Sequence, residues 1–105
     1  MTDTLARLAS IVAARATAAP EDSHTAQLLA KGRAKIAEKV GEEAVETVIA
    51  ATLNDRDALI AESADLLFHL AVLWADAGID VAEIDAELAR REGLSGLAEK
   101  AARQD

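Results

Sequence analysis

Four acidic residues recur at helical spacing along this chain. Glu43 and Glu46, with Glu42 beside them, form an E-E-x-x-E run, and Glu62 and Asp65 form an E-x-x-D run that begins sixteen positions after Glu46. Residues three apart share a helix face, so each pair presents two carboxylates on one side of its element. Their surroundings are apolar: Glu46 is the only charge between Ala44 and Leu53, and Leu66, Leu67, Phe68 and Leu70 follow Asp65 and flank His69. Carboxylates gathered in such surroundings repel one another and take up protons unless a cation compensates them. Oxygen donors without cysteine suit Mg²⁺, or Mn²⁺, better than zinc or copper. Mg²⁺ keeps water and binds phosphate oxygens, so the set asks for a phosphorylated substrate. The plainer alternative is that these acids pair with Lys or Arg on exposed faces or across a dimer interface, because a single E-x-x-E is common on helices. A carboxylate-bridged di-iron bundle would want E-x-x-H pairs on two helices, and neither acidic helix carries one. His69 reads as a satisfied core histidine rather than a ligand.

The elements that position these residues follow from periodicity and caps. Ile36, Val40, Ala44, Val48 and Ala51 keep helical spacing from Arg33 to Leu53, which places Gly41 inside a helix and hints at close packing there. Asn54 and Asp55 punctuate the chain, and a second long helix is expected from about Arg56 to Ala77, closed by Gly78. So short a connection makes the two helices antiparallel neighbours. The acid pairs then lie at matching levels, and all four carboxylates are expected to converge. The half-helix A-V-E-T-V-I-A-A-T-L is apolar nearly all round, so it should be buried on most sides in the monomer or in an oligomer. Upstream, Leu5, Leu8, Ala9, Val12 and Ala16 mark a first amphipathic helix rather than a targeting peptide. Pro20 breaks the chain, Ser23 or Thr25 caps a helix from about Ala26, and Gly32 is a joint. Asp80 caps a shorter helix ending near Glu92, and the polar tail 93–105 has room for one more.

Composition agrees with packed helices. In 105 residues, 51% are hydrophobic, Phe68 and Trp74 are the only aromatics, proline occurs once and cysteine never. Few β-branched and aromatic residues disfavour a sheet, and this length is that of one domain, 1–105, with its core at about 5–92. Zero cysteine removes disulfides and thiolate metal sites, and the cytoplasm is the expected compartment. The net charge of -8 argues against nucleic-acid binding, which needs a basic footprint. That charge is uneven: the first forty residues hold six Lys/Arg against four Asp/Glu, the rest five against fifteen. Lys31, Arg33, Lys35 and Lys39 form a basic segment directly before the acidic one. The longest nearly apolar run, Leu66 to Ala75, falls far short of the roughly 20 residues of a bilayer span, so none is expected. Helices apolar on nearly every face leave more hydrophobic surface than this chain covers by itself, and a homodimer is expected.

The run SHTAQLLAKGRAKIAEKVGEEAVETVIAA, followed by DLLFHLAVL, resembles phosphoribosyl-ATP pyrophosphohydrolase, a small all-helical enzyme family of histidine biosynthesis within the MazG-like nucleotide pyrophosphohydrolases. The carboxylate pattern indicates the wider group, and K-I-A-E-K-V-G-E-E-A-V-E narrows it. The resemblance implies an all-α, MazG-like bundle of four to five helices completed by dimerisation. It also implies hydrolysis of phosphoribosyl-ATP between its α and β phosphates, giving phosphoribosyl-AMP and pyrophosphate. By that resemblance Glu43, Glu46, Glu62 and Asp65 match the Mg²⁺ ligands. Glu42 is the candidate for orienting or deprotonating water, Lys35 and Lys39 for contacting phosphate, and Lys31 and Arg33 for steering the anionic substrate. His24 departs from the tyrosine expected at its position and touches only a peripheral contact. Two other functions fit the residues: a house-cleaning nucleoside triphosphate pyrophosphohydrolase of the same group, and a non-catalytic helical dimerisation module.

Overall fold

A computed structural model describes residues 3–92, and every regular element among them is helical. Helix α1 spans Asp3–Arg15, a 3₁₀ turn follows at Pro20–Asp22, and α2 spans His24–Lys31. Helix α3 spans Arg33–Thr52, α4 Arg56–Ala77 and α5 Val81–Arg91. The first helix ends before Ala16, and α2 starts at His24, earlier than the spacing indicates, because Ser23 is the cap: its side chain accepts from the Ala26 N–H. Gly32 at φ 93° is the joint between α2 and α3, a left-handed-side conformation that glycine adopts without a Cβ penalty. Asp55 caps α4 by accepting from the Ala58 N–H, and Gly78 closes it in the αL conformation. Asp80 and Glu83 form a reciprocal capping box at the start of α5. The tail 93–105 lies outside the described residues.

Helix α3 packs along α4 as an antiparallel hairpin, and α1 and α2 lie against one end of it. The core sits at that end. Val12, Leu28, Ile36, Ala71 and Val72 are buried together, and Leu8, Leu29, Phe68, Leu73 and Trp74 pack around them. Helix lengths explain the asymmetry. At 1.5 Å per residue, α1 is about 20 Å long against about 33 Å for α4, and α2 only about 12 Å. Anchored through Leu8 and Val12 beside Ala71 and Val72, they cover the C-terminal half of α4 and leave its N-terminal half bare.

The C-terminal half of α3 is therefore not buried by the described residues, contrary to one branch of the sequence expectation. Ala50 is its one buried residue, while Val45, Val48 and Ile49 are 58%, 61% and 51% exposed. Between Arg56 and Phe68 no residue of α4 is buried, and Ile60 is 56% exposed. Gly41 is helical as expected, but a Cβ there would meet nothing within 4 Å, so close packing within the protomer is not its reason. The expectation that no segment reaches the length and apolarity of a span also needs correction. Helix α4 reaches both: it is 22 residues long, and an 18-residue stretch of it has a mean hydropathy of 1.5. Glu62 and Asp65 make lipid a costly neighbour for it, and a protein neighbour satisfies the same apolar surface.

Candidate active site

The uncovered half of the hairpin carries the carboxylates. Glu43 comes from α3, Glu62 and Asp65 from α4, and one oxygen of each lies within 4.8 Å of the others. Glu43 and Glu62 are half-buried and Asp65 is exposed. Thr47 donates its hydroxyl to the Glu43 carbonyl at 2.7 Å, one turn along α3. Glu46 stands outside this trio of atoms but reaches Glu62. Contact with Glu46, partial desolvation and the approach of Glu43 push the Glu62 carboxyl up to about 7, so its proton is held between acids that repel when ionised. Oε2 of Glu43 and Oε2 of Glu62 are shut off from solvent without a hydrogen-bond partner. Buried acceptors of this kind are rare and costly.

These residues fit a hard divalent cation. Mg²⁺ takes its oxygen ligands at about 2.1 Å, and the three carboxylate oxygens, already within 4.8 Å of one another, would draw closer around it. A cation there would satisfy both orphaned oxygens and cancel the repulsion that raises Glu62. No cysteine competes for a softer metal. His69 is not part of the set. It is buried, and its Nδ1 lies 2.9 Å from the Asp65 carbonyl, which makes it the satisfied core histidine that the sequence indicates.

Basic residues take three different positions. Lys39, one turn before Glu43, pairs with Glu42 at 3.0 Å, and its ammonium is held charged by Glu42, with Glu43 and Glu46 adding to the effect. Lys35 pairs with Glu38 at 3.2 Å on an exposed face, and Lys31 is exposed at the end of α2. Arg33 instead reaches across to α4: its Nε binds the Asp76 carboxylate and its Nη2 donates to the Asp76 carbonyl at 3.3 Å. It ties the start of α3 to the end of α4, a long way from the carboxylates. Glu42 faces Lys39, not the trio, and that hydrogen bond and charge lower its pKa. His24 stacks on Phe68, with ring centroids 6.2 Å apart, and so joins α2 to α4.

The phosphoribosyl-ATP pyrophosphohydrolase family model matches residues 5–92. The chain belongs to that family. A relative from Rhizorhabdus wittichii named phosphoribosyl-ATP pyrophosphatase is 62% identical over 103 residues, covering 98% of this chain and 97% of the relative. Proteins of the same name from Azospirillum brasilense and Zymomonas mobilis are 60% and 57% identical, covering 95% and 96% of this chain and 90% and 94% of their own lengths. In this member of the phosphoribosyl-ATP pyrophosphohydrolase family, the site has one feature that the acidic motifs do not reveal. A shallow cleft of about 230 Å³ adjoins Glu46 and Glu62 and runs toward the α3–α4 turn, lined by Ile49, Leu53, Asp55 and Ala58. The signal for it lay in the spacing of Lys39, Glu46 and Leu53, each seven residues from the next and hence on one face. A larger groove of about 340 Å³, between α1, the end of α4 and the start of α5, is lined by other residues altogether.

Proposed function

We propose that this chain hydrolyses phosphoribosyl-ATP to phosphoribosyl-AMP and pyrophosphate, a step of histidine biosynthesis in the cytoplasm, using Mg²⁺ held by Glu43, Glu46, Glu62 and Asp65. The observation that carries the metal site is the meeting of three carboxylates from two helices with two of their oxygens unsatisfied. Family membership carries the substrate. When bound, Mg²⁺ would neutralise phosphate charge and lower the pKa of water beside the phosphorus.

The chain's own residues do the rest. Lys39 and Lys35, upstream of the acids on α3, bind phosphate oxygens, and Lys31 adds to the positive field that draws in the anionic substrate. Arg33, engaged with Asp76, acts through the fold by fixing the entry of α3. Glu42 orients water rather than deprotonating it, because its pairing with Lys39 lowers its basicity.

A homodimer accounts for the bare half of the hairpin, since Val45, Val48, Ile60 and Leu67 are too many apolar side chains to leave in water. Sedimentation at micromolar concentration should show a dimer, and a stable monomer would remove this part of the reading. The function is tested by pyrophosphate release from phosphoribosyl-ATP with and without Mg²⁺, run beside dCTP and dUTP. Magnesium-dependent release from phosphoribosyl-ATP is expected. Preference for dCTP or dUTP would assign the chain to the house-cleaning activity of the wider group, and no release from any of them would leave a dimerisation module.

A further inference from the structure

Three aromatic rings form a column that rises from the core to solvent beside the carboxylates. His69 is buried, and its Nδ1 lies 2.9 Å from the Asp65 carbonyl. Phe68 meets His69 edge to face with ring centroids 5.1 Å apart, and His24 lies nearly parallel to Phe68 at 6.2 Å. The top of the column is open: His24 is exposed, and among the described residues no other ring covers its second face. Its backbone is nevertheless fixed. Ser23 and Thr25, on either side of it, are 7% and 9% exposed, and the Ser23 side chain caps α2 through the Ala26 N–H. Phe68 follows Asp65 by three residues, so the two share a face of α4 and lie about 4.5 Å apart along its axis. The column thus stands within a helical turn of the acid cluster.

A planar ring presented on a rigid backbone is a stacking platform, and every nucleobase has flat faces to offer it. We infer that His24 is a substrate-binding residue whose free ring face stacks on the purine of the nucleotide, with the reacting phosphates extending toward Glu43, Glu62 and Asp65. A phosphoribosyl group on the purine leaves the ring from its edge, as the sugar of the triphosphate does. Both anionic ends of phosphoribosyl-ATP therefore depart sideways and place no charge on the stacked face. The spacing also suits a nucleotide, because one sugar bridges base and reacting phosphate much as one turn of α4 separates Phe68 from Asp65. This inference deepens the function proposed above and rests on it for the identity of the nucleotide. No acidic or basic motif indicates His24.

AMP and ribose 5-phosphate differ by the base, so the ratio of their Kd values, read by calorimetric titration with Mg²⁺ present, isolates the stack from phosphate contacts. Wild-type protein should bind AMP roughly tenfold more tightly than ribose 5-phosphate. His24→Ser should abolish this preference while holding the Kd for ribose 5-phosphate within about twofold. His24→Phe should keep the preference, since a flat face is what the two rings share. A second readout needs no variant: AMP should move the ring-proton resonances of His24 upfield, and ribose 5-phosphate should leave them in place. A preference that survives His24→Ser would overturn the inference and make the imidazole a mere shield over Phe68. So would a wild type without preference, or a His24→Phe protein that behaves like His24→Ser, because the ring nitrogens rather than its face would then be at work. Hydrolysis of phosphoribosyl-ATP with a preference indifferent to His24→Ser removes the stack and keeps the substrate assignment. The expected pattern without that hydrolysis does the reverse.

Discussion

The two ends of the α3–α4 hairpin are built by opposite rules. At one end α1 and α2 close over the C-terminal half of α4, and Val12, Ile36 and Val72 lose nearly all contact with water. Arg33 and Asp76 add a tie across the same end. At the other end the same two helices continue with nothing among the described residues over them. Valine and isoleucine stand in solvent, and acids that repel one another are held at close range. The closed end fixes the mutual position of α3 and α4, and the open end uses that position. A carboxylate cluster is unfavourable for folding, so it needs a rigid support that does not depend on it. The division of labour keeps stability and chemistry in separate parts of a short chain.

Substitution at the carboxylates should separate the two ends most sharply. Glu43→Gln should lower magnesium-dependent turnover by roughly 10²- to 10³-fold, the scale on which a single strong electrostatic contact to a transition state acts. Melting of the metal-free variant should stay the same or rise, because one of the repelling charges is gone. A variant that loses activity because it unfolds would show that the acids belong to the support after all. At the closed end, Ile36→Ala should cost about 3 kcal/mol of stability by leaving a cavity, read from denaturant unfolding. Its Mg²⁺ affinity measured below the transition should be close to that of the wild type.

A gentler test uses pH. The Glu62 carboxyl titrates at about 7 in the folded chain, against an ordinary value of 4.5. The folded state therefore holds this proton more tightly than the unfolded state. Its stabilising contribution is complete below about 4.5 and is lost as pH rises through 7. Metal-free protein should melt at progressively lower temperature from pH 5 to pH 8, and Glu62→Gln should flatten that slope. Glu87, brought down to about 2 by Arg90 and Arg91, changes its charge well below this range and leaves it undisturbed. A wild-type slope of the opposite sign would contradict the proton-sharing arrangement of Glu62, Glu46 and Glu43.

The two ends also differ in how far the sequence reveals them. Local signals were enough for the helices: Ser23, Asp55, Gly78 and Asp80 are the caps that their residue types suggest, and apolar periodicity set the rest. The antiparallel register followed from a short turn and brought Glu43 to Glu62 and Asp65. What stayed hidden depends on contacts distant in sequence. The engagement of Arg33 with Asp76 joins residues forty-three positions apart, and nothing near Arg33 distinguishes it from Lys31 or Lys35. The same limit applies to Gly41 and to Val48. An apolar helix looks alike in sequence whether its own chain covers it or another copy does, and only the length and placement of α1 show that the described residues do not. The convergence was also broader in expectation than in structure, with Glu46 beside Glu62 rather than within the trio.

The proposed role of the open end is to hold its acids together for a divalent cation. Thermal melting at pH 7.5, with and without Mg²⁺, on the wild type and on Glu62→Gln, tests it most directly. A cation that binds the folded chain alone stabilises it by about 2.7 kcal/mol at a hundred times its Kd, which amounts to several degrees for a domain of this size. That rise is expected for the wild type, and little or none for Glu62→Gln. An absent rise in the wild type, or an equal rise in both proteins, would contradict it.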